Sequence, residues 1–219
     1  MMRHLRQDGH AVSRKRVRRL MARMGLVPVY QRPRTTVPHP EHRIYHYLLR
    51  NPVVDRPSQV WCADIAYIPI RRGFLYLIAV MDRAPRKVPA WWGSNTMDVA
   101  VCFEGLHEAL TPFGRPGIFN TAQGSQFTSV DFTDVLRGAQ VHISMDGRGR
   151  WMDSVFIERL WRSLKYQCVY MHAFETGFEL RAGLTRWIGY YPARRPHSAL
   201  AGHTPDEAYG INGLGRLAA

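Results

Sequence analysis

An α/β fold is expected for this 219-residue chain, with a mixed sheet of about five strands flanked by helices and a small basic helical segment ahead of it. Three features predict it. Apolar runs of strand length follow one another closely from Val60 to Trp92, two more near Gly117 and Val141 alternate with helical patterns, and the long amphipathic stretches come last. Three strands, helix, strand, helix, strand and then helices is an order that lets helices cover both faces of one sheet.

The first element is basic. From Val12 to Leu26 the apolar residues Val12, Val17, Leu20, Met21, Met24 and Leu26 recur at helical spacing, and Ser13 can cap the run. Arg14, Lys15, Arg16, Arg18, Arg19 and Arg23 crowd its polar side. Such a face suits phosphate contacts, which add affinity without reading sequence; a merely solvated helix is the alternative. QRPRTTVPHPEHR, with its prolines and no periodicity, reads as an extended linker. His39, His42 and His46 lie in or just after it and read as incidental surface histidines. The expected division is a basic helical segment over 1–30, a linker over 31–57, a core over 58–210 and a tail over 211–219.

VWCADIAYIPI (Val60 to Ile70), FLYLIAVMD (Phe74 to Asp82) and KVPAWW (Lys87 to Trp92) are joined by the short loops RRG and RAPR, the pattern of an antiparallel meander. A helix over Met97 to Leu110 follows, with Thr96 as its cap, then the strand GIFNTA, a short helix over Val130 to Ala139 and the strand VHISM. SVFIERLWRSLKYQCVY (Ser154 to Tyr170) is a helix with a strong apolar stripe through Val155, Ile157, Leu160, Trp161 and Leu164.

Composition narrows the function classes. Thirty lysines and arginines against seventeen acids give a formal charge of +13, which points to a polyanionic partner, most economically nucleic acid. Cys62, Cys102 and Cys168 are odd in number and widely spaced, as for buried thiols in a reducing compartment. No apolar run approaches the roughly 18 residues of a membrane span, and a soluble intracellular protein is expected. Two acids stand out on this map. Asp64 lies inside an apolar strand, where it needs a partner or a metal. Glu158 lies beside the apolar stripe, with Arg159, Arg162 and Lys165 following, and can address a phosphate backbone together with a metal. For either acid alone, a structural ion pair is the competing account.

DRPSQVWCADIAYIPIRRGFLYLIAVMD, GIFNTAQGSQFTS, ISMDGRGRWMDSVFIERLWRSLKYQCVY and RWIGYYPARRPHSALAGHTPDEAY closely resemble, in that order, the integrase-core (DDE) transposases of bacterial insertion sequences, and more narrowly their OrfB product. The resemblance implies a ribonuclease H-like core and a DNA transposase that hydrolyses a phosphodiester at the transposon end and then transfers the strand. Both steps are in-line displacements that paired Mg2+ or Mn2+ ions on converging carboxylates assist. By motif, Asp64 matches the first catalytic, metal-binding aspartate and Glu158 the glutamate. The second aspartate belongs to a pattern like N-T-D-x-G, and here that place holds Ala122, with the 35 intervening residues before Glu158 that the family's pattern demands. The implied protein folds and binds DNA, holds metal weakly or not at all, and is catalytically impaired; the alternative is a non-catalytic DNA-binding remnant or a dominant-negative inhibitor of an intact transposase. Asp82, Asp131, Asp146 and Asp153 do not end the fourth strand, and metal ligation tolerates little displacement, so none is expected to substitute.

The remaining motifs have physical readings beside this one. Gly124, Ser125 and Gln126 of GSQFTS can offer amides and short polar groups to phosphate. Arg148 and Arg150 of GRGRWMD would approach the scissile strand from a mobile loop, or belong to an ordinary surface turn. Arg194, Arg195 and His197 of RRPHSAL contact DNA or cap the final helix. Trp151, Trp161 and Trp187 read as core, each at or beside a helical apolar stripe. Three features depart from the family pattern: RAPRK where an aromatic and a serine are usual, Pro192 where asparagine is usual, and a start partway into the helix-turn-helix region. The implied partners are transposon-end and target DNA, further copies of the chain on that DNA, and the upstream-frame (OrfA) product, in the bacterial cytoplasm and on the nucleoid. An RNA-cleaving ribonuclease H on the same fold fits poorly, because the basic helix and the RRPH tail belong to the transposase pattern.

Overall fold

The computed structural model describes residues 2–26, 43–50, 52–71, 73–96, 99–147 and 155–214, and the chain forms two compact units, Met1–Pro38 and His39–Ala219. The first unit holds α1 (Met2–Gln7), which the sequence pattern does not announce, and α2 (Arg14–Arg23). The Ser13 hydroxyl accepts the Arg16 amide at 3.2 Å and sets the start of α2, as its sequence suggests. The helix is shorter than its apolar periodicity. Gly25, at φ +69°, adopts the left-handed conformation, and the Gly25 and Leu26 amides turn back to the carbonyls of Ala22 and Met21, a Schellman ending that satisfies the last carbonyls. Val17 is buried, whereas Leu20, Met24 and Leu26 stay exposed.

In the second unit, β1 (Val60–Ile70), β2 (Gly73–Asp82), β3 (Ala90–Ser94), β4 (Ile118–Thr121) and β5 (His142–Met145) form one sheet in the order β3-β2-β1-β4-β5. The first three strands are the expected antiparallel meander, and β4 and β5 add in parallel to β1. The third strand begins three residues later than its apolar run, at Ala90, because Pro89 precedes it and Lys87 is occupied in accepting the Asp82 amide through its carbonyl.

Strand alternation sends side chains to two opposite cores. Trp61, Ala63, Ile78 and Val80 face α3 (Val99–Phe113) and α4 (Val130–Gly138), meeting Leu106, Phe132 and Leu136. Cys62, Ala66, Leu77 and Met81 face α5 (Val155–Leu164) and α6 (Gly177–Arg194), meeting Leu160, Leu164, Leu184 and Trp187. Past α5, the expected continuous helix widens into a π turn over Lys165–Val169, closed by the Tyr170 amide on the Lys165 carbonyl at 2.8 Å. α7 (Pro205–Leu214) ends the described chain and is tied to the body by Lys87 Nζ on Asp206 Oδ1 at 2.9 Å. The three cysteines are free thiols and buried, as their spacing suggests.

Candidate active site

Register decides which residues meet. β1 and β4 run parallel with Cys62 beside Asn120 and Ala63 beside Thr121, where the pairing ends; Ala122 follows Thr121 as Asp64 follows Ala63, and Asp146 follows Met145 of β5. Because alternate residues share a face, Cys62, Asp64, Asn120, Ala122, Ser144 and Asp146 all belong to the face that α5 covers.

Asp64 is half-buried, and the Trp161 indole Nε1 donates to its Oδ2 at 3.0 Å. Burial pushes the Asp64 carboxyl above the usual carboxylate range. The hydrogen bonds from Trp161 and the Ile65 amide pull it back, the negative charge of Glu158 raises it and Lys165 lowers it. Glu158 itself stands exposed on the first turn of α5. The structure therefore brings Asp64, Glu158 and Lys165 into one electrostatic neighbourhood, with Ala122 just past the last paired rung of β4. Trp161 is core, as its place in the stripe predicts, but it is also the partner that Asp64 requires. That pairing spans 97 residues and has no local sequence signal.

A polar network fixes the strand ends. Buried Asn120 donates through Nδ2 to Asp146 Oδ1 at 2.7 Å and accepts from Ser144 Oγ at 2.8 Å, while Ser144 Oγ accepts the Leu48 amide at 3.0 Å. Gln123 Nε2 donates to the Asp146 carbonyl at 2.8 Å. Asp82 belongs elsewhere. It pairs with Trp61, so its side chain points to the α3–α4 face, where its oxygens accept the Ser58 amide at 2.6 Å and the Ala84 amide at 3.4 Å.

The other sequence candidates divide as follows. Gly124, Ser125 and Gln126 form the half-buried turn from Ala122 into α4, their carbonyls accepting from Thr128 and Ser129, and Ser129 caps α4. Arg162 is exposed on α5 and Arg194 on the last turn of α6. Arg195 caps α6 and reaches Gln167 Oε1 at 3.3 Å. His197 packs edge-on to Tyr191 and is pushed down to about 4, by burial first and then by the charges of Arg195 and Arg86, so it is neutral at pH 7. Arg14, Lys15, Arg16, Arg18 and Arg19 stand exposed along α2 in the other unit. Arg148, Arg150, Trp151, Asp153, His39 and His42 lie outside the described residues.

Among the described residues no three His, Cys, Asp or Glu side chains converge as a metal site. Asp64 and Glu158 could each offer oxygen to a divalent ion, and the Ala122 methyl cannot.

Comparison with known proteins bears on the family and the fold. Family models described as integrase core domain match residues 54–150 and 139–205, and one described as HTH-like domain matches residues 1–34. The transposase for insertion sequence element IS904 of Lactococcus lactis is 30% identical over 220 residues, covering 93% of this chain and 83% of the relative. The transposase for IS629 of Shigella sonnei is 29% identical over 206 residues, covering 93% of this chain and 69% of the relative. Among solved structures, the simian T-cell lymphotropic virus intasome in complex with a PP2A regulatory subunit superposes with a TM-score of 0.62 at 16% identity, over 78% of this chain and 60% of that one. The HTLV-2 integrase catalytic core in complex with magnesium gives 0.53 at 14% identity, over 70% of this chain and 97% of that one. The fold is that of an integrase catalytic core, a ribonuclease H-like sheet. The chain belongs to the insertion-sequence transposases with an integrase core domain.

Proposed function

We propose that this chain is a DNA transposase of the integrase-core type whose strand-cleaving chemistry is lost or severely reduced. One observation carries the reading: just past the last paired rung of β4, where the family pattern asks for a second carboxylate, the chain has Ala122. In the full set, Asp64 and Glu158 would bind Mg2+ or Mn2+ with that second aspartate, and the metal would activate the attacking oxygen and stabilise the leaving one. The residues present do not complete such a centre, so no chemical step is assigned to them. What they retain is positioning. Trp161 orients Asp64, the Asn120–Ser144–Asp146 network holds the strand ends, and Lys165 contributes positive charge beside the acids.

DNA binding survives the substitution in this reading. The basic face of α2, within the 1–30 segment, and Arg162, Arg194 and Arg195 of the 58–210 core are exposed or half-buried cations suited to backbone phosphates. The chain would then occupy transposon ends in the bacterial cytoplasm, alone, with further copies of itself or with the OrfA product, and would poison an intact transposase by co-assembly. The test is cleavage of terminal DNA with Mg2+ or Mn2+. The Ala122→Asp variant is expected to exceed the present chain by on the order of a thousandfold or more, since removing one member of a cooperative catalytic set costs several decades in rate. Equal turnover by the two proteins would overturn the proposal.

A further inference from the structure

Beside the acidic pair lies a cluster of cations that the mechanism above does not use. The loop after β2 carries Arg83 and Arg86, whose guanidinium carbons sit 4.4 Å and 3.9 Å from the centroid of the Phe156 ring at the start of α5. Both side chains are half-buried, and Nη1 of each is shut off from solvent with no hydrogen-bond acceptor among the described residues. Arg159, on the same helix, adds its charge to Arg86. Among the described residues no carboxylate forms an ion pair with Arg83, Arg86 or Arg159. Two guanidinium groups on one ring, with a third cation acting on Arg86, repel one another and leave buried donors unmade. Arginine cannot escape by losing its proton.

Two further facts mark the cluster as built rather than incidental. Arg86 holds φ at +62°, a left-handed conformation that costs energy for any residue with a Cβ and that clusters at ligand sites. The cluster also shares a neighbour with the acids: Arg83, Arg86, Asp146 and Asp64 all act on the buried Cys62 thiol, two residues before Asp64 on the same face. The neighbouring polar groups, Tyr191 and His197, bring no negative charge, since burial pushes the Tyr191 hydroxyl up to about 12 and His197 is neutral. A planar guanidinium whose face is taken by an aromatic ring presents its N–H edge, the edge that matches two phosphate oxygens.

We propose that Arg83 and Arg86, supported by Arg159 and stacked on Phe156, form a seat for a DNA backbone phosphate next to the Asp64–Glu158 pair, and that this seat works without a metal ion. It rests on the reading of the chain as a DNA-binding protein and adds to it where one phosphate is held, and by what.

The experiment uses the full chain in EDTA, with a fluorescent duplex titrated over a range of NaCl and, separately, inorganic phosphate followed by thermal melting. Arg83→Gln/Arg86→Gln is expected to lower the slope of log K against log[NaCl] by about 0.9, the loss of one phosphate contact, and to abolish any rise in melting temperature caused by phosphate. Arg83→Lys/Arg86→Lys, which keeps the charge but not the fork, is expected to keep the slope and lose most of the phosphate effect. Arg83→Gln alone, which leaves the left-handed residue untouched, is the check if the double variant does not fold, with a slope decrease of up to about 0.9. An unchanged slope in folded variants overturns the seat while DNA binding stands. Phosphate protection with no change in the DNA slope overturns its assignment to DNA. Failure of the unsubstituted chain to bind any duplex overturns both readings together.

Discussion

Asp82 and Asp64 show how far one strand register separates two carboxylates of similar sequence setting. Asp82 is fully buried. Burial raises its pKa to about 6, against the pull of the Ser58 and Ala84 amides. A carboxyl raised in the folded state is protonated more readily there than in the unfolded chain, so its contribution to stability is present below about pH 4 and is lost as pH rises through about 6. At 1.36 kcal/mol per pKa unit this is on the order of 3 kcal/mol. Denaturant titrations of the chain and of Asp82→Asn at pH 4 and pH 7 should therefore show their stability difference moving by about that amount in favour of the asparagine. A pH-independent difference would mean that Asp82 does not carry this burden. The sequence marks Asp82 only as the last residue of an apolar run. Pairing with Trp61 is what turns it away from Asp64.

Among the elements, α3 shows a constraint that its periodicity hides. A Cβ on Gly105 would stand 2.0 Å from the Trp92 ring of β3, and that ring is fixed by its Nε1 donating to Glu108 Oε2 at 3.0 Å. Gly105→Ala gains about 1 kcal/mol of helix propensity, but overpacking of this severity typically costs about 1–3 kcal/mol, so a net loss of stability is expected. The loss should shrink in a Trp92→Leu background, and an equal loss in both backgrounds would rule out the ring as the cause. Elsewhere the elements follow their sequence closely. Ser13 and Ser129 cap α2 and α4, and the stripe of Ile157, Leu160, Trp161 and Leu164 is buried as its spacing predicts. Pro192, inside the last turn of α6, removes the amide that would bond the Ile188 carbonyl and is tolerated because the helix ends at Arg194.

Across the whole molecule, charge is the dominant long-range property. With a formal excess of +13, binding to any duplex should weaken steeply with salt. Replacing Arg14, Lys15 and Arg18 of α2 together by glutamine should reduce the slope of log K against log[NaCl] by up to about 2.7 if all three meet phosphate. No change in slope would show that α2 does not touch DNA. The meander, the two later strands, the covering helices and the basic helix α2 were all legible in the sequence, because period-two and period-3.6 apolar patterns are local properties. The pattern around Ala122, at the fixed distance from Glu158, likewise marks a candidate site from the sequence alone. Only the tertiary structure brought the end of β4 alongside β1, turned Asp82 to the other core, gave Asp64 its indole partner and gathered Arg83 and Arg86 on Phe156. Each of these depends on strand register or on contacts between residues far apart in the chain, which local patterns do not encode.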